Sequence, residues 1–304
     1  MNRKSLIILA VIVVLGAIIW GLLGDSGGEK AVTVGAKNFT EQYVLGSMIS
    51  IMLQDAGFKV NEQFGTGSTV TREGLATGQT DLYPEYTGTA WAVYLDHSDV
   101  VINDPVELYN RVKEEDLENG IVWLDRAAMN NTYALAVKNE RVDEIGESLS
   151  DLAEYNNAHP GELIYGVDQE FYERADGFWE MADVYGMEVE RNQVKMMDVG
   201  LTFEAIDRGQ IDVAMVFATD GKLVQYDLVV LEDDEYFFPV YNLAVTVREE
   251  VLEEYPEIEE ILKPLVPYLD DETMQALNYE VDANEIPADR VARDFLLEKG
   301  LIEN

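Results

Sequence analysis

Two stretches of this chain keep one constant offset from each other. Residues 73–89 read EGLATGQTDLYPEYTGT and residues 204–220 read EAIDRGQIDVAMVFATD. Glu73 therefore falls on Glu204, Gly78 on Gly209, Gln79 on Gln210, Asp81 on Asp212 and Tyr86 on Phe217. Each stretch reads as a helix, a glycine that closes it, then a strand ending on an aromatic. A chain that repeats this unit is confined to α/β architecture with two similar halves. Ligands of open α/β sheets sit beyond the carboxyl ends of the strands, so each half brings an aromatic to its own ligand-facing edge. Two such halves closing on a ligand form a hinged binding architecture.

The rest of the chain fits the same plan. Residues 31–35 (AVTVG) read as a first strand. Thr40 is a plausible N-cap for a helix over 43–56, where Val44, Met48, Ile51 and Met52 recur at helical spacing, and a second strand begins near Gly57. Strand, helix, strand at this pace predicts βαβ units and a largely parallel sheet. Further helices are expected over 70–76, 105–118, 169–184, 202–208, 249–262, 271–281 and 288–299. Strands are expected over 133–137, 213–217, 228–231 and 242–247. Residues 65–69 (GTGST) miss the spacing of a phosphate-binding loop and read as a turn, with Ser68 or Thr69 capping the next helix.

Ahead of this body, Arg3 and Lys4 precede an uncharged run from Leu6 to Gly24. At 1.5 Å per residue such a run reaches about 29 Å, close to the hydrocarbon thickness of a bilayer. It is longer than the apolar region of a cleaved signal and lacks a small-x-small cleavage site. The expectation is a signal anchor over 1–24 with its basic end cytoplasmic, a linker over 25–30 and an extracytoplasmic body.

Composition excludes several function classes. Of 304 residues, 59 are Asp or Glu and 21 are Lys or Arg, a net charge of -38. That charge repels nucleic acid and anionic lipid surfaces. The chain has no cysteine, which removes disulfides, thiolate metal sites and cysteine nucleophiles. Its two histidines, His97 and His159, cannot build a histidine-rich metal site, and no nucleophile motif is present. No cofactor is expected, and the chain reads as a non-enzyme. Of 16 tyrosines, Tyr83, Tyr86, Tyr133 and Tyr241 fall at predicted strand ends or turns, as does Phe217. Converging aromatic faces attract a cation through their quadrupoles. They suit quaternary ammonium groups, which donate no hydrogen bond.

Five motifs in order carry a resemblance: KNFTEQ (37–42), DLYPEYTGT (81–89), NNTYALAV (130–137), TDG (219–221) and FFPVY (237–241). The chain from residue 31 onward resembles glycine betaine/choline/carnitine-type substrate-binding proteins of ABC transporters. The resemblance implies a type II periplasmic-binding-protein fold. Its lobes would be 31–134 plus 242–304 and 135–241, joined by two crossing segments around an interlobe cleft. It implies that Tyr86, Tyr133, Phe217 and Tyr241 form an aromatic cage, and that Lys37, Thr89 and Arg174 hold a ligand carboxylate. Asn131 stands near the cage where the family commonly has an aspartate, and Phe217 stands where it usually has tyrosine.

The expected function is a tethered, monomeric receptor that binds a quaternary ammonium osmoprotectant and delivers it to an ABC permease. A receptor for an amino acid or polyamine on the same fold is the alternative, and an anchored carboxylate hydrolase a remote one. The acidic runs at 114–116, 232–235, 249–250, 253–254, 259–260 and 270–272 are expected on solvent faces. Their mutual repulsion predicts a halophilic, salt-requiring protein.

Overall fold

The computed structural model describes residues 30–198 and 200–303. The uncharged run over 6–24 lies outside the described residues. Among the described residues no helix is long and apolar enough to cross a membrane.

Among the described residues, ten strands form two five-stranded sheets. The first sheet holds β1 (Ala31–Lys37), β2 (Lys59–Thr66), β3 (Leu82–Tyr86), β4 (Ile121–Trp123) and β10 (Leu243–Arg248), in the order β2-β1-β3-β10-β4. The second holds β5 (Tyr133–Lys138), β6 (Tyr165–Val167), β7 (Val194–Met196), β8 (Val213–Phe217) and β9 (Leu228–Val230), in the order β7-β6-β8-β5-β9. The expected largely parallel arrangement holds for four of the five strands in each sheet, and one reversed strand, β10 or β5, makes each sheet mixed. β10 is antiparallel to β3 and β4, and β5 is antiparallel to β8 and β9. The registers Tyr86↔Leu243 and Tyr133↔Phe217 give the reason. The βαβ strands β3 and β8 run toward the junction between the sheets. β5 and β10 are where the chain arrives from the other half, so they start at that junction and run away from it.

The internal repeat is built the same way twice. β3 and β8 are the central strands of their sheets. Gly78 and Gly209 adopt positive φ (75° and 64°), and the next N–H groups, of Gln79 and Gln210, close back on Gly74 O and Ala205 O. Asp81 accepts from Thr33 N–H of the neighbouring strand, and Asp212 accepts from Ile164 N–H just ahead of β6. The matched Asp thus pins the start of each central strand to its parallel neighbour.

The longer helices are α1 (Thr40–Asp55), α2 (Ser68–Ala76), α3 (Pro105–Leu117), α4 (Leu149–Ala158), α5 (Asp271–Asp282) and α6 (Ala288–Glu298). α1 is buried along most of its length between β1, β2 and α6. Two expected caps are corrected. Phe39 is the N-cap of α1 without a side-chain bond, because Thr40 is already helical and its hydroxyl donates to Asp282. Gly67 caps α2, with Ser68 its first helical residue. The helix expected over 169–184 is two, Gln169–Glu173 and Phe178–Val184. They part at Gly177, where a Cβ would sit 2.1 Å from the Phe171 carbonyl oxygen. The helix over 249–262 breaks at Pro256. α4, capped by Ser148, and the three-residue strands β4, β6 and β7 have too short or too polar a pattern to declare themselves.

One acidic run is also corrected. Asp116 is fully buried on α3 and accepts from both terminal nitrogens of Arg72, from Trp123 Nε1 (2.8 Å) and from Asn119. A buried carboxylate is stable only when paired in this manner. Glu249, Glu250, Glu253, Glu254, Glu259, Glu260, Asp270, Asp271 and Glu272 are exposed, as expected.

Candidate ligand-binding site

Two segments cross between the sheets, 124–132 and 231–242. They pair with each other: an antiparallel bridge joins Asn130 and Asn242, Asn131 N–H donates to Tyr241 O (3.1 Å), and Tyr241 N–H donates to Asn130 Oδ1 (2.7 Å). This pairing sets Asn131, Tyr133 and Tyr241 side by side. β3 and β8 then deliver Tyr86 and Phe217 from either sheet. All five residues line one small cavity of about 20 Å³, together with Lys37, Phe39, Ser68, Thr89, Asp168 and Glu170.

Tyr133 is the centre of the aromatic cluster. Its ring stacks on Phe171 (4.9 Å, 11°) and lies 5.1 Å from Phe217, and it meets Tyr241 edge-on at 5.8 Å. Phe39 enters from the start of α1, stacking on Phe217 (5.1 Å) and lying 6.2 Å from Tyr86. Gly88 packs flat on the Tyr241 ring, where a Cβ would stand 2.7 Å from a ring carbon. No side chain fits there, which explains the glycine between the two threonines of YTGT. Burial holds all three cage tyrosines above the usual tyrosine range, so their hydroxyls stay protonated.

The polar residues are placed less simply. Lys37 is buried in the pocket wall, where its ammonium pairs with Glu85 at 2.5 Å and stands 5.2 Å from the Tyr86 ring centre. Glu85 also accepts from the Tyr83 and Tyr94 hydroxyls. Arg174 caps the 169–173 helix, pairs with Asp176 at 2.5 Å and with Glu170 at 3.4 Å, and lies over Tyr133 at 5.3 Å. It stands behind the cage aromatics and is not among the pocket-lining residues. Thr89 lines the pocket and makes no capping bond to the turn that follows it. Asn131 donates to Glu41 while its Oδ1 is buried without a partner.

Sequence reasoning missed Phe39, Glu41, Phe171, Asp168 and Glu170. Asp168 and Glu170 bring two carboxyl groups to the pocket wall, that of Glu170 paired with Arg174 at 3.4 Å. Burial pushes the Asp168 carboxyl up to about 6, although the Phe171 N–H it caps pulls it down. Phe39 and Glu41 stand inside the quoted KNFTEQ motif, so a signal was present. It gave no sign that α1 begins at the cleft.

Asp220, in the TDG motif, is half-buried and accepts from Phe217 N–H at 2.8 Å. Burial, with the nearby charges of Asp282 and Glu41, pushes its carboxyl from 3.8 up to about 7. The folded state therefore holds this proton where the unfolded chain releases it. The stabilisation is present below pH 4 and is lost as pH rises toward 7. Asp220→Asn keeps a carbonyl acceptor for Phe217. It should unfold at a higher temperature than the parent at pH 8, by on the order of 3 kcal/mol of stability, and lose that advantage at pH 4. Equal differences at both pH values in thermal melts would refute the assignment.

A family model described as the substrate-binding domain of ABC-type glycine betaine transport systems matches residues 30–298. A glycine-betaine-binding protein of Pseudomonas aeruginosa is 40% identical over 281 residues, covering 90% of this chain and 90% of that protein. An ergothioneine transport permease/ergothioneine binding protein of Helicobacter pylori is 33% identical over 290 residues, 94% of this chain and 51% of that protein. A solved structure titled as a glycine betaine/carnitine/choline ABC transporter superposes with a TM-score of 0.71 at 27% identity, covering 90% of this chain and 100% of that one.

Proposed function

We propose, for a chain that belongs to the family of substrate-binding domains of ABC-type glycine betaine transport systems, that the cleft between the sheets captures a quaternary ammonium solute for an ABC permease. The observation that carries this reading is the convergence of Tyr86, Tyr133, Phe217 and Tyr241 on one pocket. A trimethylammonium head has no N–H to donate. Aromatic faces and dipoles recognise it, and a desolvated cation–π contact contributes about 2 kcal/mol. The unpartnered Asn131 Oδ1 presents the negative end of such a dipole. For a ligand carboxylate we assign Lys37 and Thr89 at the pocket wall. Arg174 acts from behind Tyr133, its guanidinium fixed by Asp176. Contacts from both halves favour the closed form, and the permease recognises that form. No covalent chemistry is involved.

We retain the type II periplasmic-binding-protein fold as the finer description. We also retain Leu6–Gly24 as a single-pass anchor that leaves the body extracytoplasmic, since the run is uncharged and long enough to span a bilayer.

Titration calorimetry with glycine betaine, choline, carnitine and ergothioneine tests the reading. At least one should bind with micromolar or tighter affinity; no heat from any of them at millimolar ligand would sink it. Asp168 and Glu170 on the pocket wall favour one rival, a polyamine, so spermidine belongs in the same series.

A further inference from the structure

Residues 39–41 and 217–219 face each other across the cleft, one group from the start of α1 and the other from the end of β8. Phe39 stacks on Phe217 with an interplanar angle of 27°. Two residues on, Glu41 Oε2 accepts from the Thr219 hydroxyl at 2.6 Å. Glu41 is 2% exposed, and its carboxylate is saturated from four directions. Oε1 accepts from the Tyr86 hydroxyl (2.6 Å) and Asn131 Nδ2 (2.8 Å). Oε2 accepts from Thr219 and from Asn278 Nδ2 (3.2 Å) on α5. Asn278 also donates to Thr219 O, and Gln275 donates to Ala218 O, so α5 is stitched to the same loop. One carboxylate therefore joins a cage tyrosine, a crossing segment, the loop after β8 and a C-terminal helix.

We propose that Glu41, with Phe39 beside it, is an interlobe clasp that holds the two halves together before ligand arrives and fixes Tyr86 in its cage position. Glu41 touches no ligand in this reading; it is a positioning residue. A buried carboxylate costs several kcal/mol to desolvate unless fully hydrogen-bonded. Opening the cleft removes the Thr219 donor and lets water reach the group. The clasp thus behaves as a two-position element, satisfied by protein donors when closed and by water when open. Its hold on the closed pose lowers the ordering that ligand must impose, and it slows release. Its first test stands apart from the ligand reading above; only the second rests on it.

The chain has no cysteine, so two can be introduced cleanly. Val70→Cys and Leu201→Cys lie on opposite halves at exposed positions. Spin labels on the full-length chain then report the interlobe distance by pulsed electron resonance. Without ligand, the parent should show a dominant short-distance population. Glu41→Ala should reduce it roughly tenfold, since a hydrogen bond to a charged group is at stake. Thr219→Val, which removes one donor and keeps the shape, should reduce it about threefold, again from that bond. Thr219→Ser, which keeps the hydroxyl, should restore the parent distribution. A purely structural role would lower thermal stability in all three without moving the distances. The clasp is refuted if the parent without ligand shows no short-distance population, or if Thr219→Val and Thr219→Ser give the same distribution. Should Glu41→Ala fail to fold, the Thr219 pair decides alone. In the second test, ligand dissociation should quicken in Thr219→Val and stay at the parent rate in Thr219→Ser; equal rates in the two variants would refute any contribution to retention.

Discussion

Replacing Tyr86 or Tyr241 with alanine is expected to weaken quaternary ammonium binding by roughly tenfold to a hundredfold, from the loss of one desolvated cation–π face. Both rings line the pocket and both are nearly inaccessible to water. Tyr86→Phe and Tyr241→Phe separate two contributions. Tyr241→Phe keeps the ring and removes only the hydroxyl beside Arg174, so it should lose far less affinity than Tyr241→Ala. Tyr86→Phe keeps the ring and removes the donor to Glu41, so it should lose part of the affinity through the clasp. Deleting the Tyr241 ring also leaves a void beside Gly88 and should cost about 3–5 kcal/mol of stability. Affinity is therefore measured by calorimetry well below the melting temperature of each variant. Alanine variants that bind as tightly as the parent would remove these residues from the cage. Phe217→Tyr, which keeps the ring and adds a hydroxyl, should change affinity far less than either alanine replacement.

The second large effect is set by charge. With a net charge of -38 and long exposed acidic runs on the segments 249–260 and 270–272, the folded state repels itself. Three of the cations that could offset this, Lys37, Arg72 and Arg174, are committed to partners inside the protein. Raising the ionic strength shortens the screening length from about 10 Å at 0.1 M to about 3 Å at 1 M. The melting temperature should therefore rise by on the order of 10 °C between 0.1 M and 3 M potassium chloride, the change that about 3–5 kcal/mol gives a chain of this size. A melting temperature independent of salt would contradict the halophilic reading. Ligand affinity should vary much less, because the cage is aromatic and the cations beside it, Lys37 and Arg174, are held in buried pairs that salt screens poorly.

Periodicity carried the architecture where elements were long or repeated. The constant offset between 73–89 and 204–220 located both central strands, and Val213–Phe217 was legible to the residue. It failed where neighbours overrode local pattern. Pro256 and the crowded Gly177 each split an expected helix, and the three-residue strands hold too few residues to show alternation. The mixed sheets were illegible because strand direction depends on which half the chain is returning from, a fact of topology. Asp116 looked like one more surface acid in an acidic run. Only the approach of Arg72, 44 positions away, shows why it is buried.

The site divides along the same line. The sequence alone determined the aromatic identities at strand ends and placed Tyr86, Tyr133, Phe217 and Tyr241 by motif. Its composition excluded thiol chemistry and argued against nucleic acid. Those properties are local, because strand ends and residue types do not depend on distant partners. What only the tertiary structure decided is the electrical state of the pocket. It pairs Lys37 with Glu85, ties Arg174 to Asp176 behind the cage, and brings Asp168 and Glu170 to the wall. It also makes Glu41 the meeting point of donors up to 237 positions away. A buried charge is fixed by whichever groups surround it in space, and a linear chain does not record which ones those are.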